Sequence, residues 1–180
     1  MKEKGIMRKI ILASLGILAL TAGCKTKTEG KVNELKIALE PKSDTKTKGT
    51  VTFSEKNGTV TFTANISGLT PGVHAIHIHE KSDCSAADGS SAGGHWNPTF
   101  KKHGKWGQGE YHKGDIGNFT ADAEGNGKIV LSTDEWCIGC GDETKDILGK
   151  AIIVHKGADD FTTQPTGNAG GHVACSAIIR

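Results

Sequence analysis

No stretch of this 180-residue chain is apolar for long enough to cross a bilayer as a helix. Its most apolar run, Ile10 to Leu20, has 11 residues, where about 20 are needed. No window keeps a helical period beyond two turns, which argues against a helical bundle. Neither sign of charge is in real excess: 22 Lys and Arg stand against 20 Asp and Glu, for a formal net charge of +2. Nothing in that balance suggests nucleic-acid binding. Aromatic residues are scarce, at 3 Trp, 1 Tyr and 5 Phe. No internal repeat and no second domain can be made out, so one domain with its own core is expected.

What is present begins with a targeting pattern. Lys2, Lys4, Arg8 and Lys9 precede the apolar run, small residues follow it, and Cys24 closes the stretch LTAGC. This resembles a bacterial lipoprotein signal, which is cut before a cysteine that then carries lipid. Residues 1–23 are therefore expected to be a signal peptide and Cys24 the lipidation site, with the membrane a partner through that anchor. Thr21 stands where such signals often carry Leu. Loss of residues 1–23 would move the formal charge from +2 to −1. Residues 24–48 read as a lysine-rich tether, with seven Lys against four acids and a candidate first strand in LKIALEP. Residues 49–180 read as the functional domain.

In that domain the pattern is one of strands. Val51 and Phe53 alternate with polar residues, Asn57-Gly58 marks a type I′ hairpin, and Val60, Phe62, Ala64 and Ile66 continue the alternation. Further strands are expected at His74–Glu80, around Phe119 and Ala121, around Ile129 and Leu131, and at Lys150–His155. Short strands, 25 glycines and few aromatics argue for an all-β antiparallel sandwich or barrel. Two stretches lack strand character, 81–114 and 156–171. Loops of this length need function or a crosslink to order them. Export would place Cys84, Cys137, Cys140 and Cys175 in an oxidising space, where three pairings are open.

The chemistry lies in the histidines. Seven of the 8 fall between His74 and His155, and imidazole is the commonest ligand for zinc and copper. His77 and His79, two apart in a strand, share one face, while Ile76 and Ile78 share the other. His95, His103, His112 and Asp115 offer three nitrogens and one oxygen, a donor set that suits tetrahedral zinc. His155 ends a buried-looking strand opposite to Ile152 and Val154. Four histidines, 77, 79, 95 and 155, suit tetragonal copper, but composition alone does not say that two metals share one residue.

GVHAIHIHE, SAGGHWNP, the spacing H-x7-H-x8-H-x2-D, GDIGNFTAD, ILGKAIIVH, ADDF, TGNAG and the late VAC together resemble copper/zinc superoxide dismutase. The likeness runs from about Val51 to Arg180. It implies a Greek-key, immunoglobulin-like β-sandwich or barrel with two long functional loops, and the family is itself a standard example of such a sandwich. It implies one copper on His77, His79, His95 and His155, and one zinc on His95, His103, His112 and Asp115, with His95 as bridge and catalytic group. Asp159 matches a carboxylate that links a copper ligand to a zinc ligand, His74 a structural histidine, and Cys84 with Cys175 the family disulfide.

The expected substrate is superoxide, and the expected location is a bacterial cell envelope, periplasmic or surface-facing. A homodimer is left open, and a non-catalytic copper/zinc buffer or delivery module of the same fold is the alternative. Two departures stand out. His172 occupies the place of a guiding arginine. Arginine is always charged, whereas an exposed imidazole is mostly neutral at neutral pH. Cys137-Ile-Gly-Cys140 is an extra pair, readable as a local disulfide, a redox pair or a metal site, although it lacks the βαβ setting of a thioredoxin-like motif.

Overall fold

The computed structural model describes Met1 and residues 32–180; the expected signal peptide and Cys24 lie outside the described residues. Eight strands follow in order: β1 Asn33–Pro41, β2 Lys48–Lys56, β3 Thr59–Ser67, β4 Gly72–His79, β5 Gly117–Ala121, β6 Gly127–Thr133, β7 Ala151–His155 and β8 His172–Ala177. A single 3-10 turn, Ser90–Ala92, is the one helical element among the described residues. Asn57 and Gly58 take φ of 54° and 78°, as a type I′ turn requires. Lys56 therefore faces Thr59, and the inward set Val51, Phe53, Phe62 and Ala64 is locked in register. The strand expected in LKIALEP is present, and it is a barrel strand, so the folded body reaches N-terminal of Gly49.

The strands close in the order β1-β2-β3-β6-β5-β4-β7-β8, all antiparallel. The β3–β4 and β6–β7 connections cross between non-neighbours, which gives the expected Greek-key barrel. Two seams are thin: β5 meets β6 only at Ala121 and Gly127, and β1 meets β8 only at Glu40–Cys175 and Pro41–Ala174. The barrel is thus two four-stranded sheets, β1-β2-β3-β6 and β5-β4-β7-β8. Between them lies the core, where Phe53, Phe62 and Trp136 meet with ring centroids 5.4–6.4 Å apart.

Over Ala75–His79 of β4, all of β7 and Val173–Ser176 of β8, the second sheet is buried on both faces. Ile76, Ile78, Ile152 and Val154 point into the core. Ala151, Ile153 and Cys175 point outward, yet they are covered by Ala92 and Cys84 from the 80–116 loop. That covered outer face also carries His77 and His79. Cys84 is bridged to Cys175, a sequence separation of 91, and Cys137 is bridged to Cys140. The first bridge ties the long loop to β8, the second closes a local turn, and together they settle the pairing left open by the sequence.

Closing so long a loop removes much freedom from the unfolded chain. Replacing Cys84 and Cys175 together by Ser is expected to lower unfolding free energy by roughly 2–5 kcal/mol, measured by denaturant titration. Peptide mapping that finds Cys84 joined to Cys137 would contradict this arrangement.

Candidate metal centre

The 80–116 loop returns along the outer side of β4 by backbone pairing. Trp96 N–H donates to Ile78 O at 2.8 Å, Gly114 N–H to Trp96 O at 3.0 Å, and Ile78 N–H to Gly114 O at 2.9 Å. His79 and His95 form an isolated antiparallel bridge. The approach is close enough to need glycine, since a Cβ on Gly114 would lie 2.2 Å from Ile78 O. This pairing carries His95 and Asp115 onto the face that already holds His77 and His79. His155 arrives from the end of β7, where the register with β8 shifts between Val154 and His155.

Two groups of donors result. His77, His79, His95 and His155 have ligand atoms within 4.8 Å of one another, and so do His95, His103, His112 and Asp115. All seven residues are buried. In the first group each ring spends one nitrogen on the protein: His77 Nε2 meets Asp159 Oδ2 at 2.9 Å, His79 Nδ1 donates to Gly93 O at 2.7 Å, and His155 Nδ1 donates to Gly170 O at 3.2 Å. The other nitrogens, His77 Nδ1, His79 Nε2 and His155 Nε2, are buried without a partner. Buried nitrogens left unpaired are costly, and a shared metal ion would satisfy them.

His95 serves both groups. Its Nδ1 lies 2.8 Å from Asp115 Oδ1, and its Nε2 is buried and unpartnered. Its ring centroid is 4.0 Å from that of His77 and 5.3 Å from that of His103. In the second group His103 Nδ1 and His112 Nδ1 approach the Asp115 carboxylate at 3.0 and 3.2 Å, yet neither is aimed as a hydrogen bond. Three imidazole nitrogens crowded on one carboxylate, with only the His95 contact aimed as a hydrogen bond, have the donor chemistry of a closed zinc site. Four imidazoles suit copper.

Supports hold these rings from outside. Asp159 accepts from His77 Nε2 through Oδ2 and from His103 Nε2 through Oδ1, both at 2.9 Å, and so links the two groups. Asn118 fixes the Asp159 backbone by two hydrogen bonds of 2.8 Å. Asp115 Oδ2 accepts from the backbone of Gly104 and His112. On either side of His112, Tyr111 and Lys113 both donate to Glu135, and Trp136 Nε1 donates to Lys113 O.

Gly167 sits where a Cβ would be 1.8 Å from Asp159 Oδ1 and 2.6 Å from His103 Nε2. The sequence reading did not single out Asn118, Glu135, Gln164 or Gly167; only GDIGN and TGNAG within the resemblance touched two of them. His74 is structural, with its ring nitrogens bonded to His155 O and Thr70 O. His172 stands beside the first group, not in it. It faces His155 across β7 and β8, is half-buried and not freely exposed, and its ring lies 5.0 Å from His155 and 5.1 Å from His79.

Comparison with known families agrees with this geometry. The model of the family described as Copper/zinc superoxide dismutase (SODC) matches residues 47–178. That span contains both donor groups, their supports and the Cys84–Cys175 bridge. The family binds copper and zinc, and both groups here could hold metal ions.

Burial holds the protonation states in a useful pattern. It pushes His77, His79 and His155 below the usual imidazole range, and His95 down to about 4. These rings keep free lone pairs at neutral pH, as metal ligation requires. His103 is the exception: burial pulls it down, but the close carboxylates of Asp115 and Asp159 outweigh burial and raise it to about 9. Asp115 and Asp159 are held below the usual carboxylate range by their histidine partners, against the opposing pull of burial.

The pH dependence of the metal-free protein follows. Below about 6.5 the unfolded chain protonates histidines that the folded state keeps neutral, so the four lowered imidazoles cost stability there. The contribution of His103 is already complete below that pH, and those of the two aspartates persist until much lower pH. Melting of the metal-free protein is therefore expected to move to lower temperature as pH falls from about 6.5 to about 5. A melting temperature that stays constant or rises over that range would contradict the burial of neutral imidazoles.

Proposed function

The chain belongs to the copper/zinc superoxide dismutase family, and from that premise we propose that it is an active dismutase of the cell envelope. His77, His79, His95 and His155 would hold one copper, and His95, His103, His112 and Asp115 one zinc. Bound copper would supply the one-electron couple by which two superoxide anions and two protons become oxygen and hydrogen peroxide, whereas zinc is redox-inert.

The observation that carries the reading is His95. One of its nitrogens faces Asp115 and the other is free toward the four-imidazole group. A proton can be held at His95 Nε2 without the ring losing its place, because Nδ1 stays on the Asp115 side. Asp159 keeps His77 and His103 in fixed orientation, and His79 is kept in fixed orientation by Gly93 O. A storage module would need the two groups but would gain nothing from sharing a ring between them. Export and a lipid anchor on Cys24 complete the proposal, and release of a Cys24→Ser variant into the soluble fraction would support the anchor.

The metal-loaded chain is expected to contain one copper and one zinc and to turn over superoxide. His77→Ala should abolish turnover while sparing zinc, and Asp115→Ala should lose zinc and lower the melting temperature. Elemental analysis without copper uptake, or loaded protein without turnover, would overturn the assignment. His172 beside His79 and His155 sets the rate of final approach. Exposed charges are screened over about 8 Å at physiological salt, so a permanent charge there acts at short range. His172→Arg is expected to raise kcat/KM at neutral pH by roughly tenfold, about 1.4 kcal/mol. A rate unchanged by that substitution would remove His172 from the approach path.

A further inference from the structure

The 101–116 part of the long loop has no regular structure, yet it delivers three donors of the second group. His103 is the least supported by its own segment. Its neighbours Lys101, Lys102 and Lys105 are exposed. Its backbone N–H and C=O find no partner within the loop or in β4. Both are taken by one side chain from the 156–171 loop: Gln164 Oε1 accepts from His103 N–H at 2.9 Å, and Gln164 Nε2 donates to His103 O at 2.9 Å. The amide thus acts on His103 as a neighbouring strand would. The same loop supplies Asp159, which fixes His103 Nε2, and Gly167, which leaves room for that contact. With its backbone and Nε2 fixed, the ring can turn only Nδ1 toward Asp115, at 3.0 Å.

We propose that Gln164 is a positioning residue for His103, fixing it within the His95, His103, His112 and Asp115 group so that tight zinc retention depends on this side chain from another loop. The proposal rests on the reading of that group as the zinc site, but not on turnover. Loss of the amide leaves the peptide of His103 to find new partners and lets Nδ1 drift from the position that the other three donors set. Residues that orient metal ligands from outside typically change affinity by about 10–100-fold when removed, so Gln164→Ala should fall in that range. A carboxylate in place of the amide would keep the acceptor for His103 N–H and lose the donor to His103 O, so Gln164→Glu should fall between Ala and wild type.

The test uses the full chain loaded with copper and zinc. Zinc release to a chelator of known affinity gives retention, and cobalt(II) in place of zinc reports ligand geometry through its visible bands. The expected result is zinc binding weakened by about tenfold or more in Gln164→Ala, with altered cobalt bands and unchanged copper-site spectra. Gln164→Glu should be intermediate, and Gln108→Ala, at an exposed glutamine of the 80–116 loop, should match wild type. Zinc retention and cobalt bands identical to wild type in Gln164→Ala would overturn the proposal. So would zinc loss that appears only together with loss of the barrel's circular dichroism in both Gln164 variants. A wild-type chain that takes up neither zinc nor cobalt would sink the zinc assignment itself, an outcome distinct from either of these.

Discussion

His95 is the ring on which the rest of the site depends. It touches Asp115 through one nitrogen and leaves the other for the imidazoles of β4 and β7. A side chain can be shared this way only if the two donor groups approach from opposite sides and the ring cannot rotate. The backbone bridge between His79 and His95 fixes the origin of that ring, and the pairing of Trp96 with Ile78 and Gly114 fixes its direction. Close backbone approach at Gly114 is therefore part of the chemistry, since a side chain there would push the loop off the sheet.

The burial of this face poses an energetic problem that the loops solve. Six imidazoles and a carboxylate lie almost out of reach of water, where each unpaired polar atom costs on the order of 1–3 kcal/mol. His77, His79, His95, His103 and His155 therefore each give one nitrogen to the protein and hold the other, without a hydrogen bond, toward a donor group. The Cys84–Cys175 bridge, the Asp159 link and the clasp of Glu135 around the His112 strip all act on irregular backbone. They replace the regular ladder that these segments lack, and they explain why two long loops can be ordered in a compact domain.

Much of the barrel was legible because period-two alternation reports which face of a strand is buried. The Asn57-Gly58 turn and the Ile76–Ile78 against His77–His79 split are cases where local pattern and final structure agree. The membership of β1 was less legible: its apolar positions Leu35 and Ile37 are only half-buried, and its lysines read as tether. The metal donors could be named from residue type and spacing, but the sharing of His95 could not, since it arises from backbone pairing between His79 and His95, which are far apart along the chain. Gln164, Asn118 and Glu135 were invisible for a simpler reason. A polar side chain in a loop, or at a half-buried position of a short strand as for Asn118 in β5, reads as solvated until the structure shows its partner.

Period-two alternation also explains how one sheet carries both stability and reactivity. Along β4 and β7 the odd and even positions answer to different requirements: Ile76, Ile78, Ile152 and Val154 fill the core, while His77, His79 and His155 face the donor groups. A one-residue slip would exchange these faces and destroy both at once. Core packing thus enforces the register that the ligands need, and the ligands need no stiffness of their own. His172 lies on this logic too, because it is placed across from His155 by the β7–β8 pairing and not by its loop. Its distance from the first donor group is set by strand spacing, so a change of residue there alters charge and hydrogen bonding beside that group while leaving the position of the backbone as it is.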